Sequence, residues 1–416
     1  MLEQYAARIR DYSKRAYRLI TREPSGQLLH PFIVPGSNSY ADCLWDWDSW
    51  LTDVAFRQIM RDNDDHDSWF WACEKGCIQN FLDSMDGDGW MPISITPDDR
   101  LPRRKSGTEI TNIHKPCLAQ HAAFLCQMEP EDRAWLVPCM PGLARCIGYY
   151  EQNMLHQETG LFFWIDDAAI GVDNDPCTFY RPDRSSASIL LNCMMVKEYR
   201  AMAYLCETTG MESTRYADAA ARLTDAINKH LWDERNGFYY SADINLKPIN
   251  PKEWLHSGMP RHWHSVLQKI DCWSGFMAMW ADVAPLERAE RMVRENLLKT
   301  KLFWGAYGVR SLAKTEPMYR VVRSGNPSCW LGPVWGISNY MVYRGLMDYG
   351  YAQEASELAE KTIALFGEDL MRCGEFHEYY DPDTGLGVNN EGFQSWNLLV
   401  NNIIAEQLDG DCVKEF

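Results

Sequence analysis

Amphipathic segments, in which apolar residues recur at three- and four-residue spacing, run from one end of this chain to the other. Few runs alternate between apolar and polar residues as half-buried strands do. The spacing predicts an all-α protein with helices over residues 2–22, 47–61, 67–84, 114–127, 131–156, 185–208, 212–231, 271–282, 285–299, 327–348, 351–370 and 393–408. No linker rich in Pro, Gly or Ser separates these twelve segments. We therefore expect six helical hairpins closed into an (α/α)6 barrel, with residues 1–416 forming a single domain.

Composition excludes several classes of partner. The formal net charge is −17 at pH 7 and no basic stripe runs along the chain, so we expect no nucleic acid partner. No stretch has the length of a membrane-spanning helix, and the N-terminal segment lacks the apolar core of a secretory signal, so we expect no membrane partner. The 14 Cys are scattered and contain no CxxC pair, which is typical of reduced, buried thiols. We therefore expect a cytoplasmic protein.

Aromatic residues are unusually abundant, with 17 Trp, 20 Tyr and 15 Phe. Aromatic faces stack on the apolar faces of sugars, so a small-molecule carbohydrate is one explanation and a Trp-rich core is the other. Trp residues and carboxylates concentrate in four stretches: YADCLWDWDSW (40–50), GLFFWIDDAAIGVDNDP (160–176), NPSCWLGPVWGISNY (326–340) and GEFHEYYDPDTGLGVNNEGFQSW (374–396). Each lies where a loop meets a helix, so we expect all four to converge at one mouth of the barrel. Two carboxyl groups among aromatic platforms are what glycoside hydrolysis requires.

The order of the motifs is specific. WDWDSW, GVDNDP, WLGPVW, and HEYYDPDTGLG with FQSW resemble glycoside hydrolase family 63 and, more distantly, the trehalases of family 37. The resemblance runs from about residue 35 to 405 and is nearest to a bacterial branch that includes mannosylglycerate and glucosylglycerate hydrolases. It implies an inverting, exo-acting α-glycosidase, of α-glucosidase or α-mannosidase type, on an (α/α)6 barrel. The expected substrate is a small α-glycoside such as glucosylglycerate, mannosylglycerate or a disaccharide.

The resemblance also implies roles for individual residues. Asp173 matches the general acid and Glu378 the general base, although Asn-Asp-Pro is also ordinary turn chemistry. An inverting enzyme holds its two carboxyl groups about 6.5 to 9.5 Å apart, which leaves room for a water molecule. Glu391 is a weaker alternative for the base. Asp175 is expected to cap the turn that follows it.

Further side chains are candidates for substrate binding, and most come from the matched motifs. They are Trp47, Asp48, Trp90, His114, Lys115, Trp330, Trp335, Gln394 and Trp396. Core packing is the alternative for the tryptophans, and a favourable helix N-terminus is the alternative for Asp48. His114 and Lys115 replace a Gln and a Pro of the family pattern, and Leu331 stands where the family usually has Arg, which suggests an altered substrate. Arg103, Arg104, Arg181 and Arg184 are candidates to meet the carboxylate of a glycerate.

Two other functions remain open at this point. A sugar 2-epimerase uses the same barrel with His as acid and base, for which His262, His264 and His377 are candidates. A sugar-binding module without catalysis is the second alternative. We expect no cofactor and no metal, since the calcium-loop pattern fails when it is started from Asp381 or from Asp173. The oligomeric state is left open.

Overall fold

The computed structural model describes residues 1–98, 113–166, 170–179, 181–246, 263–322 and 327–416. In these ranges it contains α1 (Leu2–Ala16), α2 (Asp46–Asp62), α3 (Ser68–Asp83), α4 (Leu118–Met128), α5 (Met140–Asn153), α6 (Ile189–Thr208), α7 (Thr214–His230), α8 (Met277–Trp280), α9 (Leu286–Arg291), α10 (Gly336–Asp348), α11 (Ala352–Arg372) and α12 (Val400–Ile404). Each of the twelve predicted helices therefore has a counterpart.

Other helical turns extend three of the shorter helices. A 3₁₀ turn over Trp273–Phe276 precedes α8, and a π-helical turn over Met292–Leu297 follows α9. A 3₁₀ turn over Ser395–Leu399 precedes α12, and a π-helical turn over Ala405–Asp409 follows it. With these extensions the three segments approach the lengths that the sequence predicts.

Two predicted helix starts are wrong. The helices expected from 131 and 327 begin at Met140 and Gly336. Residues 327–335 instead approach α10 as an extended segment, because Pro333 has no amide hydrogen to donate and Gly332, at φ 148°, lies outside the helical region. This extended approach brings the WLGPVW motif to the end of the barrel.

Burial divides the helices into two sets. In α2, α4, α6 and α10 nearly every residue is buried, as expected of helices that are enclosed on all sides. In α7 the buried residues are Tyr216, Ala219, Ala220, Leu223, Ala226 and Ile227, which form one stripe at helical spacing. The first set is therefore internal, and α7 is peripheral.

The internal helices form a closed ring. α2 packs against α4, α4 against α6, α6 against α8 and α8 against α10; α10 packs against the segment containing α12, which returns to α2. Around this ring α3 packs on α4, α5 and α7 on α6, and α11 on α10, while α1 lies between α11 and α12. One cluster of buried apolar side chains joins the two layers. The predicted all-α, (α/α)6 architecture is confirmed.

Short antiparallel strands join neighbouring loops, and in the described residues they form five pairs and one three-stranded sheet. The strands are β1 (Thr21–Arg22), β2 (Phe32–Ile33), β3 (Leu44–Trp45), β4 (Ser94–Ile95), β5 (Leu155–His156), β6 (Leu161–Phe162), β7 (Ser186–Ala187), β8 (Trp232–Asp233), β9 (Phe238–Tyr239), β10 (Ala242–Asp243), β11 (Val266–Leu267), β12 (Val334–Trp335) and β13 (Tyr379–Tyr380). Strands of two residues carry no periodicity that a sequence could reveal. The pairing of Trp335 with Tyr379 joins the WLGPVW motif to the residue that follows Glu378.

The cysteines agree with the sequence prediction. All fourteen are free and twelve of them are buried. None of the helices in the part of the chain that the structure describes is long and apolar enough to cross a membrane.

Candidate active site

A pocket with a volume of about 130 Å³ opens where loops lead into α2, α10 and the segment of α12. All four aromatic and acidic stretches contribute to it, so they converge as predicted. The lining residues are Pro35, Tyr40, Trp45, Trp47, Asp48, Ile93, Gly171, Asp173, Ser328, Trp335, Glu378, Phe393 and Trp396. Six candidates named from the sequence are therefore brought together: Trp47, Asp48, Asp173, Trp335, Glu378 and Trp396.

A tight turn carries Asp173 into the pocket. Gly171 and Asn174 on either side have positive φ, 67° and 54°, and the amide of Asp175 donates to the carbonyl of Val172 at 3.1 Å. The side-chain oxygen of Asn174 accepts a hydrogen bond from the backbone N–H of Trp330 at 2.9 Å. This bond anchors the turn to the WLGPVW segment, so the position of Asp173 depends on two distant parts of the chain.

Glycine is required at the first position of the turn. A Cβ on Gly171 would lie 2.8 Å from Nζ of Lys115 and 3.5 Å from the ring of Trp47. The positive φ disfavours any other residue as well. Close approach and backbone conformation therefore both explain the glycine of GVDNDP.

Glu378 is buried on the opposite loop and is held by three donors. The Tyr40 hydroxyl donates to Oε1 at 3.3 Å, the side-chain amide of Asn389 donates to Oε2 at 3.0 Å, and the side-chain amide of Asn390 donates to the same oxygen. Burial raises the pKa of Glu378 to about 7; the three donors oppose this effect and the charge of Asp173 adds to it. With a pKa of about 7, Glu378 is about half ionised at neutral pH, and Asp173 lies near enough to affect it.

Asp48 lies in the first turn of α2 and is also buried. Its Oδ1 accepts a hydrogen bond from the Ser395 hydroxyl at 2.8 Å. Burial raises the pKa of Asp48 to about 8, and the Ser395 hydrogen bond opposes this rise. A carboxyl group oriented in this way can hold a sugar hydroxyl.

Aromatic rings form the walls of the pocket. Trp335 stacks on Trp330 with ring centroids 3.9 Å apart and planes 5° apart, and Trp273 extends the stack behind Trp330. The indole nitrogens of Trp45 and Trp396 make no hydrogen bond to any residue that the structure describes. Both rings line the pocket while their indole nitrogens are buried, so the rings offer apolar walls to a ligand.

Five predicted binding residues do not line the pocket. Trp330 backs Trp335, and Trp90 is completely buried. Gln394 is buried and its backbone N–H donates to the carbonyl of Pro35 at 2.9 Å. His114 and Lys115 belong to a buried network with Asp46.

The network of His114 and Lys115 supports Trp47. The Lys115 ammonium lies 2.9 Å from Oδ1 of Asp46 and 4.6 Å from the centroid of the Trp47 ring. The His114 ring contacts the carbonyl of Lys115 at 2.6 Å, and burial lowers its pKa to about 4, so the ring is neutral at physiological pH. The structure therefore places His114 and Lys115, two of the three residues that depart from the family pattern, beneath the aromatic wall.

The rival acid and base candidates lie elsewhere. Glu391 is exposed and faces a different depression. His264 is exposed, and His377 is held by Asp369 with 2.9 Å between Nδ1 and Oδ2. His262 lies outside the described residues. Histidine chemistry in the pocket is therefore unsupported by the described part of the chain.

The candidate arginines do not line the pocket where they can be placed. Arg181 forms an ion pair with Asp243, and Arg184 is exposed and donates to the carbonyl of Asn153 at 3.2 Å. Arg103 and Arg104 lie outside the described residues.

Several lining residues were not predicted from the sequence, although they lie within the four quoted stretches. Tyr40 and Trp45 belong to YADCLWDWDSW, and Ser328 and Phe393 belong to two of the other quoted stretches. Asn389 and Asn390, which hold Glu378, are adjacent in the fourth stretch. Pro35 and Ile93 lie outside the four stretches and carried no signal.

Among the described residues, two groups outside the pocket have the spacing of metal ligands. They are Asp175, Cys177 and Cys272, and Asp369, Cys373 and His377; in each group the ligand atoms lie within 4.8 Å of one another. The loop that begins at Asp381 is a turn, as expected, because Oδ1 of Asp381 accepts the amides of Asp383 and Thr384 at 2.9 and 2.8 Å. Oδ2 of Asp175 accepts the Thr178 hydroxyl at 2.9 Å, a contact with the turn that follows it.

Comparison with known protein families gives one match over most of the chain. Residues 41–396 match the sequence model of the mannosylglycerate hydrolase MGH1-like glycoside hydrolase domain. Mannosylglycerate hydrolase of Rubrobacter radiotolerans is 28% identical over 58% of this chain and 47% of that protein. Mannosylglycerate hydrolase of Thermus thermophilus is 33% identical over 41% of this chain and 34% of that protein. The chain thus spans less than half the length of these relatives.

Solved structures show the same fold. A family 63 mannosylglycerate hydrolase from Thermus thermophilus, in complex with glucose, has a TM-score of 0.69 at 22% identity and covers 93% of this chain and 98% of its own. Neutral trehalase from Saccharomyces cerevisiae has a TM-score of 0.62 at 16% identity over 91% of this chain and 74% of its own. The helical ring is therefore the barrel that these enzymes share.

Proposed function

The chain belongs to the family of mannosylglycerate hydrolase MGH1-like glycoside hydrolases, and from this premise we propose that it is an inverting, exo-acting α-glycosidase. Its substrate is a small α-glucoside or α-mannoside such as glucosylglycerate, mannosylglycerate or a disaccharide. The observation that carries the proposal is the meeting of Asp173 and Glu378, from loops about 200 residues apart in sequence, in one small aromatic pocket. Residues 1–416 act as one catalytic domain, and the reaction takes place in the cytoplasm.

The reaction assigns opposite roles to the two carboxyl groups. Asp173 donates its proton to the glycosidic oxygen as the bond to the anomeric carbon breaks. Glu378, as carboxylate, removes a proton from the water molecule that attacks this carbon from the other face. The sugar leaves with inverted anomeric configuration. Asp48 holds a hydroxyl of the sugar, and the rings of Trp45, Trp335 and Trp396 form apolar walls around it.

The electrostatics support this division. A base must be ionised, and the amides of Asn389 and Asn390 with the hydroxyl of Tyr40 lower the pKa of Glu378 against the effect of burial. The same donors fix the carboxylate in one orientation. Glu391 is exposed and has no place in this pocket, which favours Glu378 as the base.

The test is the anomeric form of the sugar at the moment of release. The purified protein is screened against glucosylglycerate, mannosylglycerate, trehalose, kojibiose, nigerose and isomaltose, and the product is followed by proton NMR before mutarotation. A β-anomer released from an α-glycoside supports the proposal, whereas an α-anomer contradicts inversion. Conversion of free glucose to mannose without hydrolysis would instead identify an epimerase.

Variants connect the activity to the residues. Asp173→Asn is expected to reduce kcat by a factor on the order of 10² to 10⁴, with a smaller loss on aryl glycosides whose leaving group needs little protonation. Glu391→Gln is the matched control and is expected to retain wild-type activity. Full activity of Asp173→Asn would remove the assignment of the acid.

A further inference from the structure

A buried cluster of two thiols and a carboxylate lies directly behind the turn that carries Asp173. Cys177 and Cys272 are 2% and 5% exposed, and Asp175 is 9% exposed. The two Sγ atoms are 3.8 Å apart, and Oδ1 of Asp175 lies 3.9 Å from Sγ of Cys272. The three residues come from two loops that are 95 residues apart in sequence.

We propose that Asp175, Cys177 and Cys272 bind a thiophilic divalent cation, for which Zn²⁺ has the best fit. A tetrahedral zinc ion with Zn–S bonds of about 2.3 Å holds two thiolates about 3.8 Å apart and a carboxylate oxygen about 3.5 Å from each sulfur. The observed sulfur separation equals the first distance, and the observed oxygen to sulfur distance is 3.9 Å. A disulfide needs a sulfur separation of about 2.05 Å, so the sulfurs would have to approach by more than about 1.5 Å.

The surroundings have the second layer of hydrogen bonds that metal sites use to orient their ligands. The Thr178 hydroxyl donates to Oδ2 of Asp175 at 2.9 Å, which leaves Oδ1 directed at Cys272. The Ser241 hydroxyl lies close to the side chain of Cys177. A tetrahedral ion would take its fourth ligand from the Ser241 hydroxyl or from water.

Binding of the metal ion exchanges the two thiol protons for bonds to the metal. Zn²⁺ forms bonds to both sulfurs and to the carboxylate, and each thiol releases its proton to solvent. No electron is transferred, so no oxidant or reductant is required. Since two protons are released, binding is tighter at higher pH.

The ion would join two loops and fix their relative position next to the active site. Asp175 and Cys177 follow Asp173 by two and four residues, and Cys272 directly precedes the 3₁₀ turn that leads into α8. A metal bridge would thus hold the turn that carries Asp173 to the internal ring. This consequence for activity rests on the proposed function, whereas binding of the metal does not.

The experiment measures metal directly. The full chain is expressed in zinc-supplemented medium and its metal content is determined by mass spectrometry; expression with cobalt then allows thiolate ligation to be seen in the visible and ultraviolet spectrum. Wild type is expected to hold about one ion per chain and to show thiolate-to-cobalt absorption. Cys177→Ala and Cys272→Ala are expected to hold at least tenfold less. Cys193→Ala removes an equally buried thiol on α6 and is expected to bind as wild type does.

Several results would overturn the proposal. The first such result is that wild-type protein from zinc-rich medium lacks stoichiometric metal and shows no thiolate absorption with cobalt. This measurement needs no variant, so a folding defect cannot obscure it. Another is loss of the metal in Cys373→Ala but not in Cys177→Ala, which would place it at the second ligand group. A Cys177–Cys272 disulfide found in the native protein would also exclude the site. Asp175→Asn keeps both thiols and is expected to weaken binding while far-UV circular dichroism stays unchanged.

Discussion

Replacing Glu378 with Gln should inactivate the protein and at the same time stabilise it. Gln has the shape of the carboxylate and can keep its three partners, with its oxygen toward Asn389 and Asn390 and its amino group toward the Tyr40 oxygen. The replacement removes a charge that burial disfavours. Under the proposed function the same charge is the general base, so kcat should fall by a factor on the order of 10² to 10⁴.

The pKa of Glu378 determines the size and the sign of the stabilisation. This pKa is about 7 in the folded protein against an ordinary value of 4.5. Below pH 4.5 both states are protonated and the side chain makes no linked contribution. Between the two pKa values the folded state alone keeps the proton, so the stability of wild type falls relative to Gln as pH rises. Above pH 7 the difference is constant, at about 3 kcal/mol, which is 2.303RT times the difference between the two pKa values.

The assay is equilibrium unfolding in urea for both proteins at a series of pH values from 4 to 9. The free energy of unfolding of Glu378→Gln minus that of wild type should increase through the interval between the two pKa values and then level off. Glu391→Gln removes an exposed carboxylate nearby and should give a small, flat difference. A flat difference for Glu378→Gln, or a variant that is less stable than wild type at pH 8, would refute the assignment of a buried carboxylate destabilised by its surroundings.

Three more substitutions test the site. Tyr40→Phe removes a hydrogen-bond donor that lowers the pKa of Glu378, so the acidic limb of the pH profile of kcat should move to higher pH. A limb that moves to lower pH or stays in place would contradict the hydrogen bond between Tyr40 and Glu378. Gly171→Ala places a side chain at a positive φ and against Lys115, so the free energy of unfolding in urea should fall by about 1 to 3 kcal/mol. The value of kcat/KM should fall as well. Unchanged kinetics would show that the turn does not affect catalysis. Trp330→Ala removes the middle ring of the indole stack, so the free energy of unfolding should fall by about 3 to 5 kcal/mol and KM should rise. An unchanged KM would show that Trp335 keeps its position in the pocket wall without Trp330 behind it.

The four stretches show which features of the site could be predicted from the sequence and which could not. Each joins tryptophans to carboxylates where a loop meets a helix, and this local pattern was sufficient to predict their convergence. It was insufficient to separate a ring that faces the pocket from the ring behind it. Trp330 and Trp335 lie five residues apart in one motif, yet only Trp335 lines the pocket. The Asn389 and Asn390 donors to Glu378 were likewise within a quoted stretch, but nothing local indicated their target.

The sequence by itself determined the twelve helices, their order and the ring that follows from them, because helical periodicity is a local property and consecutive helices tend to pack as neighbours. The tertiary structure decided the contacts between residues far apart in the chain. Tyr40 donates to Glu378 across 338 residues, and Asn174 accepts from Trp330 across 156. Such contacts exist only because the ring closes and brings loops from distant hairpins to one end. The same closure buries Asp48 and Glu378 together, so their raised pKa values are properties of the fold and not of their neighbours in sequence.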